Sequence, residues 1–282
     1  MSKFLIGLGC SFTQGQGALK QEVIDYYGKQ VWKGNHSLPL DKHEREGSWV
    51  NQICKRYLKD YTPVNLGERG MGNRGAIKSL QLHTKHDFES AEDIIVIFML
   101  SGMERFDFPQ KDYKLQNHNF YTMFPHPDNK GNPYRSLWDA YAKHVWSEQM
   151  VCVETIMNVI EAQVWCKANN AKLLLTSAFD TNINIDFFKT HIFNSRHDII
   201  DKFEWDYFFE PMGFDTIMHM LIHKEENGSP EVNKLKNGGY WDKYPKMTKN
   251  GSYITPCCHP NIRGHKAIAN TLYKELLRRE YV

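Results

Sequence analysis

The chain has 282 residues, 41% hydrophobic and 24% charged, with 35 Lys+Arg against 33 Asp+Glu for a formal charge of +2. That balance fits a soluble globular protein, either one large α/β domain or two small ones, and lacks the concentrated basic face of a nucleic-acid binder. No apolar run approaches the ~20 residues of a membrane helix, and the N-terminus lacks the long apolar core and cleavage site of a signal peptide. Cys10, Cys54, Cys152, Cys166, Cys257 and Cys258 form no C-x-x-C pair and no compact disulfide framework. They read as reduced thiols in a chain made in the cytosol.

Residues 4–8 are short, apolar and interrupted by glycine, which predicts a buried strand. Gly9-Cys10-Ser11-Phe12-Thr13 then presents Ser11 just past a strand end, where open α/β sheets bind ligands. A serine there is either a nucleophile served by a base or part of a phosphate-binding or purely structural turn. The polar residues 14–46 read as a long loop with one helical turn at most. Ser48 is a candidate N-cap for a helix that places Trp49, Ile53 and Tyr57 on one face. Residues 62–66 predict a second strand, which runs into a glycine cluster at 67–75; a helix follows over about 73–86.

Residues 93–100 (DIIVIFML) carry the strongest strand signal, apolar throughout as in a central parallel strand. They end at Ser101-Gly102-Met103-Glu104-Arg105, and residues 106–135 read as an aromatic, proline-bearing excursion over the active face. One long helix is predicted over 138–168, with Trp146, Met150, Val153, Met157, Ile160 and Val164 as its apolar stripe. Residues 172–178 predict the next buried strand. Residues 180–255 are the least legible, with short helices expected near 198 and over 215–223. A last helix starts from Asn261 with Ile268, Leu272 and Leu276 on one face. The strand–helix–strand alternation argues for a parallel sheet of about five strands between two helical layers, in one domain with insertions at about 106–135 and 180–255.

In such a sheet all the strand ends lie on one edge, so Ser11, the 67–75 turn, Ser101-Gly102 and the His259-Pro260 dipeptide converge. In these segments the chain resembles the SGNH hydrolases, or GDSL-like esterases, of bacterial or phage type. Gly9-Cys10-Ser11-Phe12-Thr13 is similar to their first block and Asn65-Leu66-Gly67-Glu68-Arg69-Gly70 to their second. His259-Pro260-Asn261-Ile262-Arg263-Gly264-His265 is similar to their last block. The matches follow the family's order and span nearly the whole chain, and Ser48-Trp49 also fits. The resemblance implies a three-layer flavodoxin-like fold and a carboxylic-ester hydrolase that needs no metal or cofactor. Ser11 would be the nucleophile and His259 the base, and the Ser11 and Gly70 N–H groups would face the oxyanion.

Two positions depart from the family pattern. Pro256 stands where an Asp commonly precedes the histidine, leaving His259 to be oriented by a backbone carbonyl, by a distant carboxylate such as Asp242, or by nothing. The third block lacks its Asn; Asn73 is a substitute donor, and Arg105 a residue that holds substrate or braces the site. The implied substrate is a small-molecule or carbohydrate ester such as an O-acetyl sugar, with acyl transfer as a variant of the same chemistry. A second reading is a relative that has lost catalysis and serves as a binding or structural module, for instance in a phage particle. His265 reads as a structural helix residue, His219 and His223 as an incomplete metal pair, and Cys10 as core. The aromatics of the two insertions suit a sugar-binding wall or ordinary packing equally.

Overall fold

A computed structural model describes residues 2–28, 40–83, 86, 88–109, 120–123, 135–179, 183, 187–188, 190, 197–225, 253–255 and 259–282. Strands β1 (Lys3–Gly9), β2 (Tyr61–Asn65) and β3 (Asp93–Leu100) are followed by β4 (Phe106–Pro109), β5 (Phe120–Met123) and β6 (Lys172–Ser177). Four of them form one parallel sheet in the order β2-β1-β3-β6, while β4 and β5 pair antiparallel in a separate ribbon. β2 carries Pro63 and pairs only with β1, in keeping with a residue that cannot donate to a ladder on both sides.

Alternation along the strands divides the core in two. Phe4, Ile6, Leu8, Val96, Phe98, Leu100 and Leu175 face one way and pack on helices α5 (Asn73–Gln81) and α7 (Glu148–Ala168). Leu5, Ile95, Ile97, Met99 and Leu174 face the other way, onto α4 (Trp49–Arg56), α9 (Ile217–Glu225) and α10 (Ile262–Arg278). The result is an open α/β sheet with helices on both faces. Among the described residues, the remaining helices are the four-residue α1 (Ser11–Gln14), α2 (Gln21–Tyr27), α3 (Asp41–Gly47), α6 (Arg135–His144) and α8 (His197–Asp201).

Several expectations need correction. The described sheet has four strands, not five. Beyond β6 lies a single bridge, Leu175 to Phe208, with the Phe209 N–H donating to the Leu175 carbonyl at 2.8 Å. Tight 3-10 turns at Trp205–Tyr207 and Pro211–Gly213 leave too few residues between them to extend further. The expected helix over 138–168 is two helices. Ser147 breaks it, its Oγ accepting the Met150 N–H at 3.1 Å as an N-cap.

The stripe assigned to α7 is only partly its core face. Met157 and Val164 are exposed, while Met150, Val153 and Ile160 are partly buried and pack against the core. The buried residues are Val151, Cys152, Thr155, Ile156, Asn158, Val159, Ala162, Gln163 and Cys166. This helix is apolar nearly all round, so spacing alone admits two stripes. The one containing Cys152, Thr155, Ala162 and Cys166 has small side chains that let the helix lie close to the sheet. Residues 14–46 contain α2 and α3; Val23 of α2, with Leu19 and Leu40 just ahead of the two helices, forms a satellite cluster. α5 ends at Gln81 rather than near 86.

Candidate active site

The first turn is built by a close approach. Gly9 has φ +142°, and a methyl group there would lie 2.4 Å from the Met99 carbonyl oxygen, so β1 leaves the sheet at a residue that must be glycine. The chain then winds into α1, with the Thr13 and Gln14 N–H groups donating to the Cys10 carbonyl at 2.9 and 3.0 Å. Thr13 Oγ1 donates to the Leu8 carbonyl at 3.1 Å. These bonds hold Ser11, almost wholly buried, over the carboxyl end of β1.

His259 is set by a short antiparallel turn. Ile254 bridges Pro260, the Thr255 N–H donates to the His259 carbonyl at 2.8 Å, and the Asn261 N–H donates to the Tyr253 carbonyl at 2.8 Å. Asn261 Oδ1 then caps α10, accepting the N–H groups of Arg263 and Gly264 at 2.9 Å each. The imidazole leans on the Phe12 ring, with centroids 5.7 Å apart, and its Nε2 lies 3.0 Å from Ser11 Oγ. That is hydrogen-bond reach for a nucleophile and its base, across 248 residues of sequence. Pro256, Cys257, Cys258 and Asp242 lie outside the described residues.

Asn65 joins the first turn to the second. Its Nδ2 is 2.9 Å from the Thr13 carbonyl, 3.2 Å from that of Gln14 and 3.0 Å from Ser48 Oγ, while Oδ1 accepts the Gly67 N–H at 3.1 Å. Arg45 supports the same corner. Its NH1 donates to the Asn65 and Gly67 carbonyls, each at 3.0 Å, and its NH2 pairs with Glu68 at 2.6 Å. Arg69 pairs with the buried Glu44, which also reaches the Gly17 N–H at 3.4 Å. A methyl at Gly67 would sit 2.4 Å from the Gln14 backbone nitrogen. Gly67→Ala is therefore expected to cost about 1–3 kcal/mol of stability by forcing the two turns apart, read by urea denaturation. An unchanged midpoint would show that the turns separate freely.

At Gly70 the chain has φ +76°, and an added methyl would meet no atom within 4 Å. Among the described residues neither the Ser11 nor the Gly70 N–H donates to another group. Asn73 is buried and bound to Ser101: Oδ1 accepts the Ser101 N–H at 2.8 Å, and Nδ2 donates to the Ser101 carbonyl at 3.3 Å. One of its amide hydrogens is thus spent on the third strand end. Arg105 donates to the Met71 carbonyl at 3.1 Å and lies 5.1 Å from the Phe179 ring centroid, so it braces the second turn from the side. Sequence reasoning passed over Asp107. Its buried carboxylate accepts the Gly72 N–H at 2.9 Å and the Gly75 N–H at 2.7 Å. Those partners are backbone amides far away in sequence, so no side-chain pattern marks it.

His265 is fully buried, and its Nδ1 accepts the Trp49 N–H at 3.2 Å. Burial first, then the nearby His259, pushes its pKa down to about 3 against a weaker pull from the Gln16 backbone, so it stays neutral and ties α10 to α4. His219 is buried with its N–H on Thr216 Oγ1, and His223 packs on Phe214. Cys10 lies in the core. Phe188, Phe203, Trp205 and Phe208 of the second insertion pack against the α5/α7 core, which answers the packing reading for those rings. Compared with known proteins, the chain matches no family model and no curated sequence.

Proposed function

We propose that this chain is a serine hydrolase of the SGNH type that cleaves a small acyl ester through a seryl acyl-enzyme. The observation that carries this reading is the 3.0 Å contact between Ser11 Oγ and His259 Nε2 at the carboxyl edge of a parallel sheet. In this scheme Ser11 Oγ attacks the ester carbonyl carbon and its proton passes to His259 Nε2. The carbonyl electron pair becomes an oxyanion facing the Ser11 and Gly70 N–H groups. A pre-aimed donor of this kind is worth ~3 kcal/mol of barrier. Collapse expels the alcohol, which takes the proton from His259. Water then repeats the cycle on the acyl-serine, releasing the acid. A small acyl group on a carbohydrate remains the favoured substrate class, with transfer to a second alcohol as the variant if water is kept out.

The competing reading, a catalytically silent binding or structural module, draws support from Asn73, whose amide is engaged with Ser101 rather than left wholly for substrate. Reaction with a fluorophosphonate probe separates the two. The hydrolase is expected to be labelled at Ser11 and to turn over p-nitrophenyl acetate, with Ser11→Ala losing both. A folded wild type that is neither labelled nor active would overturn the hydrolase in favour of the module.

A further inference from the structure

We infer that Asp107 is a positioning residue of this site, holding the segment that carries the Gly70 N–H and Asn73. The inference rests on the hydrolase reading and extends it to a residue outside the blocks of family resemblance. Asp107 stands on β4, in the ribbon that follows the third strand end, yet it reaches back to the opening of α5. Its two carboxylate oxygens take the N–H groups of Gly72 and Gly75, the residues on either side of Asn73 and Arg74. It is 1% exposed, so these bonds are not in competition with bulk water.

The packing around it is tight. A methyl on Gly72 would lie 2.6 Å from Asp107 Oδ2, and one on Gly75 would lie 3.1 Å from the same atom. Both glycines leave the room the carboxylate occupies. Two residues before Asp107, Arg105 grips the neighbouring Met71 carbonyl at 3.1 Å. Residues 105–107 therefore hold 71–75 from both polarities: a cation on a carbonyl and an anion on two amides. The held segment runs directly on from Gly70, and Asn73 within it is already fixed to Ser101. The two amide bonds of Asp107 fall on the donor-bearing segment, so its effect on the reaction runs through the aim of these donors. An aspartate suits this place because an ionised carboxylate offers two acceptors and no donor. Asparagine in the same rotamer turns an NH2 toward one of the two N–H groups and releases it.

The test compares Asp107→Asn with the wild type in steady-state hydrolysis of p-nitrophenyl acetate and in the rate of fluorophosphonate labelling at Ser11. A loosened donor is felt in the transition state more than in the bound substrate. The expected result is a fall in kcat of about 10-fold or more, below the about 10²–10³-fold loss of a whole oxyanion donor. KM is expected to stay within about 3-fold, and labelling to slow in step with kcat. Gly72→Ala, which keeps the carboxylate but displaces it, is expected to show the same split and decides the matter should Asp107→Asn fail to fold. A folded variant whose kcat and labelling rate both match the wild type overturns the inference while leaving the hydrolase reading intact. A fall in kcat/KM through KM alone overturns it as well. If the wild type itself is neither labelled nor active, the hydrolase reading falls and this inference with it.

Discussion

In His259→Ala, turnover of p-nitrophenyl acetate is expected to fall by about 10³-fold or more, and the double variant Ser11→Ala/His259→Ala is expected to fall no further than either single one. A serine hydroxyl at neutral pH is a poor nucleophile, and in the proposed step the imidazole 3.0 Å away removes its proton as the bond to carbon forms. Two groups that work in one step fail together, so their losses do not add. The loss should lie in kcat, because the base acts on the reacting atoms and not on the bound ester. The fold should tolerate the change: the backbone bonds between residues 253–255 and 259–261 that set the turn do not involve the ring. Circular dichroism and kinetics on the four proteins check this. Additive losses would mean that Ser11 and His259 act independently, and the proposed step would be wrong.

Acid is expected to weaken the fold through His265 before most carboxylates are protonated. In the unfolded chain this imidazole takes a proton near its ordinary value of 6.5, whereas in the folded protein it resists protonation down to about 3. Between those limits the unfolded state binds more protons. Its contribution to stability is therefore complete above pH 6.5 and is lost as pH falls, at about 1.4 kcal/mol per pH unit. His265→Asn keeps a short-armed acceptor for the Trp49 N–H and removes the titration. Guanidinium unfolding between pH 7 and pH 4.5 should show a steep decline in the wild type and a shallower one in the variant. Glu275, buried yet held below its usual value by Arg278 and Arg279, adds its own loss toward the acid end of that range, equally in both proteins, so the difference between the slopes reports His265. Parallel slopes would show that His265 becomes protonated in the folded state.

Three of the four sheet strands were legible because each is a short, dense apolar run ended by glycine or a polar turn, and β2, with Thr62 and Pro63 in its middle, by its place before the glycine cluster; residues 93–100 needed no correction at all. One cap was legible too: Ser48 accepts the Asn51 N–H as its side chain and position predict, whereas Asn261 reads only as the start of the last helix and Ser147 goes unmarked inside an apolar stretch. What failed was periodicity where apolar residues are in surplus. α7 offers two stripes, and the choice between them depends on side-chain size against the sheet, which a helical repeat does not encode. α2 and α3 failed for the opposite reason, since each is seven residues long and α3 carries no apolar side chain at all, too little for a period to register. At the site, Ser11 and His259 stood out because glycine and proline mark the turns that hold them. Asp107 did not, because its partners are backbone amides 32 and 35 residues away and leave no pattern in sequence.

The 248 residues between Ser11 and His259 also have a meaning in time. A ribosome adding about 5–20 residues per second takes about 12–50 s to travel from one to the other. For most of that interval the turn bearing Ser11 is out of the exit tunnel, while the histidine that would arm it is not yet made. On the proposed scheme the hydroxyl stays chemically silent toward acyl esters around it until the turn at 253–255 and 259–261 docks beside β1. Reactivity would then arrive as a late event of synthesis, and a nascent chain stalled before residue 259 would be a harmless one.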